Sequence, residues 1–267
     1  MSLIALLTDF GLSDHYVGTM KGVIVSANPG ARIIDLSHDV RPQQVHEAGY
    51  LLWAAYTYFP KGTIFVCVVD PGVGSTRRIL AVETEHYRFL TPDNGLLDYV
   101  LAEERIIAAR EVVVTANGVK GLPRVRIERI SSTFHGRDIF APVAAALSRG
   151  DQWTGEAPLL SLKTPDSVFV DSHRGKVQPR ILHIDRFGNL ITNIRSSNFY
   201  EAKTLAPALR VGKKRVRRWI SNYSEGSLRE PSLILGSSSL IEVVLREGSA
   251  ARHLRASLAT KLAIVRS

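Results

Sequence analysis

Two uninterrupted apolar runs, Ile4-Ala5-Leu6-Leu7 and Ile64-Phe65-Val66-Cys67-Val68-Val69, each lead into a loop that begins with an aspartate and soon reaches a glycine. A strand that is apolar at every position must be covered on both faces, and a parallel sheet between layers of helix provides that cover. The intervening segments supply the helices. Residues 16–27 have helical spacing and stop at Asn28-Pro29-Gly30. Within 44–58, Val45, Ala48, Leu51, Leu52 and Ala55 fall on one helical face, and Pro60-Lys61-Gly62 closes the segment. Arg32-Ile33-Ile34-Asp35-Leu36 reads as another strand, 79–83 and 87–90 as a hairpin, and 94–103 and 140–148 as further helices. Strands alternating with helices predict an α/β domain with a mostly parallel sheet.

Beyond about Pro165 the pattern changes. Short alternating runs at 167–171, 180–184, 190–194, 208–211, 232–235 and 240–245 are separated by turn signals such as Arg174-Gly175 and Phe187-Gly188-Asn189. Many short strands at this spacing predict a small antiparallel β-barrel. The expected organisation is an α/β catalytic domain over residues 1–160 and a β-barrel domain over 166–267.

Charge and hydropathy narrow the partners. The net charge of +9 is concentrated most densely in Arg210-Val211-Gly212-Lys213-Lys214-Arg215-Val216-Arg217-Arg218-Trp219. That run lacks the aromatic interleaving of a base-stacking surface, so it reads as an exposed hairpin and no nucleic-acid partner is expected. No membrane partner is expected either: the uncharged stretch at 22–30 is far too short to span a bilayer. The apolar start, Met1 to Leu7, has no basic segment before it and is closed by Asp9, so it reads as a buried strand and not a signal peptide. Cys67, the single cysteine, sits within an apolar strand and reads as a small core residue. A cytoplasmic location is expected.

Two loops carry the chemistry. Asp70-Pro71-Gly72-Val73-Gly74-Ser75-Thr76-Arg77-Arg78 and Ser132-Thr133-Phe134-His135-Gly136-Arg137-Asp138 offer a carboxylate, a guanidinium and an imidazole, a set able to deprotonate a small nucleophile. Taken singly, each residue has a plainer reading: an Asp-Pro-Gly turn, a surface arginine, a structural histidine. His38, His135, Asp35 and Asp70 lack the compact spacing of metal ligands, and no metal is expected.

Six strings occur in order along the chain: Thr8-Asp9-Phe10-Gly11, Asp35-Leu36-Ser37-His38, Asp70-Pro71-Gly72-Val73-Gly74, Pro92-Asp93-Asn94-Gly95-Leu96-Leu97, Thr133-Phe134-His135-Gly136-Arg137-Asp138 and Ile184-Asp185-Arg186-Phe187-Gly188-Asn189-Leu190-Ile191-Thr192-Asn193. With these the chain resembles the S-adenosyl-L-methionine (SAM) hydroxide adenosyltransferase family, which is related to the fluorinases and chlorinases. The resemblance covers about residues 4–251. It implies an α/β domain followed by a β-barrel, a homotrimer with substrate bound between neighbouring subunits, and hydrolysis of SAM to adenosine and L-methionine. Activated water attacks ribose C5′ in that reaction; SAM is the substrate and no separate cofactor is implied.

The resemblance also implies roles for individual residues. Asp70, Arg77 and His135 match a catalytic triad, in which His135 or Asp70 receives or orients the water proton while Arg77 stabilises the developing negative oxygen. Asp9 matches the residue that accepts from the two ribose hydroxyls, a task suited to the paired acceptors of a carboxylate. Asp185 matches the contact to the methionine ammonium, Asn189 the contact to the adenine edge and Ser237 the contact to the methionine carboxylate. Phe134 and Phe187 are candidates to pack against the nucleoside, with a plain core role as the alternative. The chain departs from the family pattern at Gly236-Ser237-Ser238-Ser239, where Asn-Ser-x-Gly is usual; Glu242 and Gly248-Ser249-Ala250-Ala251 restore the match. Two other functions compete. A SAM-dependent halogenase has tyrosine at the place of Asp70 and Tyr-Ser at that of His135-Gly136; here a carboxylate would repel the halide, and Gly136 has no hydroxyl to hold it. A sensor that binds SAM or adenosine without turnover has no need of three ionisable groups around C5′.

Overall fold

The structure is a computed structural model and describes residues 3–155, 159–162, 165, 168–170, 177–195 and 208–265. The chain divides into two compact units, Met1–Pro165 and Asp166–Ser267.

The first unit is built on a six-stranded sheet. In chain order its elements are β1 (Leu3–Thr8), α1 (Tyr16–Ala27), β2 (Arg32–Ser37), α2 (Val45–Ala55), β3 (Ile64–Val68), β4 (Ile79–Thr84), β5 (Arg88–Pro92), α3 (Asp98–Leu101) and β6 (Ile106–Glu111). A small hairpin of β7 (Val114–Thr115) and β8 (Gly118–Val119) follows, and then α4 (Ala141–Arg149). The strand order is β2-β1-β3-β5-β4-β6. The neighbours β2, β1, β3 and β5 pair in parallel, whereas β4 is antiparallel to both β5 and β6.

The two apolar runs occupy the centre of this sheet, and successive side chains serve opposite faces. Ile4 and Leu6 of β1 join Val66 of β3 in a layer with Met20 and Ile24 of α1 and Val143 and Ala144 of α4. Ala5 and Leu7 join Phe65 and Cys67 in the other layer, with Ala48 and Leu52 of α2 and Val100 of α3. The Cys67 thiol is free and buried, and burial pushes its pKa up. The carboxyl ends of β1, β2 and β3 therefore point the same way, and their loops gather at one edge of the sheet, the usual place for ligands in open α/β sheets.

Three helix boundaries differ from expectation. The segment expected to be helical over 94–103 holds only the short α3. Asn94 Nδ2 donates to Val69 O at 2.9 Å, Asn94 Oδ1 accepts from Leu96 N at 3.3 Å, and Gly95 takes φ +88°, so the approach is a turn. α2 ends at Ala55 and continues as the 3₁₀ turn Tyr56–Tyr58. α4 is preceded by a π-helical turn, Gly136–Phe140.

The strands of the second unit pair with one another in antiparallel fashion. β9 (Ile181–Ile184), β10 (Leu190–Arg195), β13 (Ser232–Leu235) and β14 (Leu240–Val244) form a sheet in the order β13-β14-β10-β9. β11 (Ala208–Val211), β12 (Lys214–Val216) and β15 (Leu262–Val265) form a second sheet in the order β12-β11-β15, with α5 (Ala250–Leu254) before the last strand. The sheets share one core, to which Leu190, Leu233 and Val243 contribute from the first and Leu209 and Leu262 from the second. Among the described residues the strands make two sheets and no closed barrel is delineated. The basic run forms the β11–β12 hairpin, turning at Gly212 with φ +59°. Of the expected strand at 167–171, residues 168–170 are described, and Val170 bridges to Ile194; the turn at Arg174-Gly175 lies outside the described residues.

Candidate active site

The loop after β3 folds back on its own aspartate. Gly72 N donates to Asp70 Oδ1 at 3.1 Å and Val73 N to Asp70 O at 3.2 Å, the side-chain-capped turn that Asp favours. Ser75 Oγ donates to Gly72 O at 2.7 Å and accepts from Arg77 N at 3.2 Å. These bonds reverse the chain, so that Arg77 NH2 pairs with Asp70 Oδ2 while its NH1 donates to Arg78 O. Both side chains of the pair are largely buried, 4% exposed for Asp70 and 11% for Arg77. The adjacent Arg78 turns away to Asp93, with Nε 2.9 Å from Oδ2. The structure thus separates two neighbouring arginines that sequence alone could confuse.

The loop leading into α4 meets the first loop backbone to backbone. Gly74 has φ +78°, and a Cβ there would stand 2.2 Å from Ser132 O. Asp138 Oδ2 accepts from Ser131 N at 2.7 Å, and its carboxylate pairs with Arg137 at 2.6 and 3.0 Å. The Arg137 guanidinium lies 5.2 Å from the Phe134 ring centroid. This brace fixes His135 at the entrance to the π-helical turn. Gly136 keeps the passage narrow: a Cβ would sit 3.1 Å from Met20 Sδ and 3.2 Å from the Phe134 ring.

His135 Nδ1 and Arg77 Nε are both buried without a hydrogen-bond partner among the described residues. Burial first, and the Arg77 guanidinium second, hold the His135 imidazole below its ordinary value, against an opposing pull from Asp70 and Asp138. These surroundings favour the neutral form of the ring. Asp9 follows β1 on the neighbouring loop. Its Oδ2 accepts from Gln43 N at 2.9 Å, delivered by a residue held at φ +67°. Burial pushes the Asp9 carboxyl up, Gln43 N–H partly offsets that, and the charge of Asp70 adds to the rise. Asp9, Asp70, Arg77 and His135 thus act on one another electrostatically. Phe134 is 7% exposed and packs edge-on to Tyr16 at 5.0 Å and Phe10 at 6.0 Å, behind the site.

The candidate residues of the second unit gather in the β9–β10 turn and the β13–β14 turn. Asp185 Oδ1 accepts from Phe187 N at 2.9 Å and Asn189 N at 2.8 Å, and its Oδ2 accepts from Asn189 Nδ2 at 2.9 Å. Asn189 is buried and Phe187 projects from the turn, 76% exposed. Gly188, at φ +87°, abuts Ser249, and its carbonyl accepts from Ala251 N at 2.9 Å. Ser237 is exposed in the tight turn before β14, where Ser239 takes φ +58°.

Sequence reasoning gave no site role to four residues near these groups: Glu242, Tyr223, Gln43 and His38. Glu242 lies against Gly236, where a Cβ would stand 1.8 Å from its Oε1. Burial pushes the Glu242 carboxyl up, the Asp185 charge adds to this, and Tyr223 partly offsets it. The available signal was an acid in the middle of an apolar strand, Leu240-Ile241-Glu242-Val243-Val244. His38 stood in the string Asp35-Leu36-Ser37-His38 without a role attached to it, and Gln43 gave no distinctive signal. Among the described residues, no group of three or more His, Cys, Asp or Glu side chains is arranged to hold a metal ion.

Residues 4–155 match the SAM hydroxide adenosyltransferase N-terminal domain and residues 179–263 match the C-terminal domain of the same family. An (R)-S-adenosyl-L-methionine hydrolase of Thermus thermophilus is 34% identical over 265 residues, 95% of this chain and 96% of the relative. One of Methanocaldococcus jannaschii is 38% identical over 202 residues, 73% of this chain and 68% of the relative. A fluorinase of Nocardia brasiliensis is more distant, 26% identical over 226 residues, 73% of this chain and 72% of the relative. The solved structure of a conserved protein from Thermotoga maritima superposes with a TM-score of 0.85 at 32% identity, covering 98% of this chain and 100% of that one.

Proposed function

The chain belongs to the SAM hydroxide adenosyltransferase family, and on that premise we propose that Asp70, Arg77 and His135 catalyse the hydrolysis of SAM to adenosine and L-methionine. One observation carries this assignment. The buried Asp70–Arg77 ion pair and His135 lie on two loops joined through Gly74 and Ser132, with Arg77 Nε and His135 Nδ1 both buried and without a hydrogen-bond partner among the described residues. Water attacks C5′, the C5′–S bond breaks, and its electron pair leaves on the neutral thioether of methionine. The water proton goes to His135, because both Asp70 oxygens already accept hydrogen bonds, from Gly72 N and from Arg77. Arg77 steadies the negative charge growing on the attacking oxygen. Free water has a pKa of about 15.7, so general-base help is required, and help of this kind is worth roughly 10²- to 10⁴-fold. Because the sulfonium is cationic and the nucleophile becomes hydroxide-like, charge is neutralised in the transition state, which a water-poor pocket favours.

Asp9 holds the ribose hydroxyls, Asp185 the methionine ammonium, Asn189 the adenine edge and Ser237 the methionine carboxylate, while Phe187 covers the nucleoside and Phe134 backs the site. The names of the hydrolase relatives point to the (R) sulfonium epimer as substrate. In this reading no cofactor takes part. The family resemblance further supports a homotrimer with substrate at the subunit interface and closure of the C-terminal strands into a barrel, and the single cysteine, which can form no internal disulfide, fits a cytoplasmic setting. Among the described residues, no helix is long and apolar enough to cross a membrane.

Incubation with SAM in ¹⁸O-water, with and without excess chloride, tests the reaction. The expected products are methionine and adenosine carrying ¹⁸O at the 5′ position. A 5′-chloro nucleoside would move the chain to the halogenases, and binding without turnover would make it a sensor.

A further inference from the structure

His38 is 3% exposed although it lies just past an edge strand, and both ring nitrogens and its carbonyl meet polar neighbours. Its Nδ1 is 2.8 Å from Thr8 Oγ1, its Nε2 is 3.0 Å from Asp35 Oδ1, and its carbonyl accepts from Gly11 N at 2.8 Å. The Nε2 contact is electrostatic, since it lacks the alignment of a hydrogen bond. Thr8 Oγ1 also accepts from Phe10 N at 3.3 Å, and Lys21 Nζ holds the other oxygen of Asp35 at 2.6 Å. Residues 8, 10 and 11, which surround Asp9, are therefore all tied to His38, directly or through the Thr8 hydroxyl.

Proton accounting fixes the tautomer. Thr8 is fully buried, and its oxygen already receives the Phe10 N–H. Were Nδ1 protonated, the same oxygen would face two donors, and its own proton would be buried without an acceptor. The hydroxyl proton therefore goes to Nδ1, and the ring carries its proton on Nε2, towards Asp35. Phe10 N–H thus donates to Thr8 Oγ1 and Thr8 Oγ1–H to His38 Nδ1, a series that runs from the Asp9 turn to the His38 ring.

We propose that His38 is the positioning residue of Asp9: through Thr8 Oγ1 and its own carbonyl it fixes the turn that aims the Asp9 carboxylate at the ribose hydroxyls. The proposal rests on the reading of Asp9 as the ribose ligand. The triad sits on other loops, so His38 acts on substrate binding and leaves the chemical step alone.

The test measures kcat and KM for SAM and for its 2′-deoxy analogue in the full-length enzyme and in Asp9→Asn, His38→Ala, Thr8→Val and His38→Asn. The unaltered enzyme is expected to prefer SAM by about 10- to 100-fold, the worth of a hydrogen bond to a charged group, and Asp9→Asn to lose that preference. His38→Ala and the isosteric Thr8→Val are expected to lose most of it too, with KM for SAM raised about tenfold, as when supports of a ligating group are removed, and kcat nearly unchanged. His38→Asn, whose amide oxygen can accept from Thr8 Oγ1 as Nδ1 does, is expected to keep it. If Asp9→Asn keeps the preference, the reading of Asp9 fails and this proposal falls with it. If Asp9→Asn loses the preference while folded Thr8→Val or His38→Ala keeps both the preference and the KM, the role of His38 alone is overturned. A fall in kcat at constant KM in those variants would overturn it as well.

Discussion

Replacing Gly74 with alanine probes the contact that brings the Asp70–Arg77 loop against the His135 loop. Two separate effects add. Alanine at φ +78° costs about 1–2 kcal/mol of left-handed strain. Its Cβ, placed 2.2 Å from Ser132 O, also forces the two backbones about 1 Å apart, because neither partner is a side chain that can swing aside. The strain alone lowers the melting temperature by roughly 2–8 °C for a unit of this size. The displacement acts on the reaction: it moves Arg77 and His135 relative to each other, and a misplacement of that order costs about 100-fold in rate. Gly62 supplies the control. It has φ +83°, lies in the turn before β3, and a Cβ there meets nothing within 4 Å. Gly62→Ala is expected to show a similar strain in thermal unfolding with kcat/KM for SAM unchanged, whereas Gly74→Ala loses about two orders of magnitude in kcat/KM. Equal activities for the two variants would refute the view that the loop contact sets the catalytic geometry.

Other outcomes follow from single features. Asp70→Asn, which weakens the carboxylate's hold on Arg77, is expected to lower kcat by about 100-fold, as for a misplaced catalytic group, while calorimetry shows SAM affinity within about threefold, as expected when ground-state binding is spared; loss of binding would contradict a role confined to the chemical step. The His135 ring is expected to titrate below its ordinary 6.5 in an NMR titration. Because the unfolded chain then takes up the proton first, this group leaves stability unaffected above about pH 6.5 and lowers it as pH falls toward the folded-state value. A ring resonance that titrates above 6.5 would refute the neutral imidazole. Arg41→Ala leaves Glu47, 3% exposed, without the guanidinium that contacts it at 2.7 and 2.9 Å. The expected loss is about 2 kcal/mol in denaturant unfolding, below the full value for a buried pair because Arg41 is itself half-exposed, and a change under ~0.5 kcal/mol would show the pair to be idle. Cys67, with its thiol pushed up by burial, is expected to resist alkylation at pH 8 until the protein unfolds. Rapid labelling of folded protein would contradict its place in β3.

The central strands were legible because β1 and β3 are buried on both faces, so their apolar runs needed no periodic pattern to be recognised. The helices α1 and α2 were legible from their spacing. The approach to α3 was not, because the Asn94 side chain bonds locally to Val69 O and Leu96 N and competes with a helix that the apolar residues alone would favour. Strands of the second unit such as β10 and β13 stood out as short runs between turn signals, and the basic run was legible as the β11–β12 hairpin, whereas β15 is too short and mixed to register. The reactive groups of the first unit could be named from motifs, but their mutual arrangement depends on long-range contacts: Gly74 with Ser132, and Gln43 N with Asp9. Gln43 contributes only its backbone N–H, which every residue carries, and Gly74 is marked by its type while nothing in the sequence names Ser132 as the backbone it meets.

The π-helical turn at Gly136–Phe140 works as a phase adjuster. The azimuth of α4 about its own axis is dictated by the alanine and valine face that Ala141, Val143, Ala144 and Leu147 press into the sheet layer. The turn holds more residues than an α-helical one, so it sets how far the preceding residue is rotated relative to that face. Deleting one residue from it would leave the helix seated as before and swing His135 by about 100° around the axis, away from Asp70. In such an enzyme the length of this one turn is under tighter constraint than the identity of most residues within it, and single-residue insertions and deletions there should be tolerated by the fold and lethal to turnover.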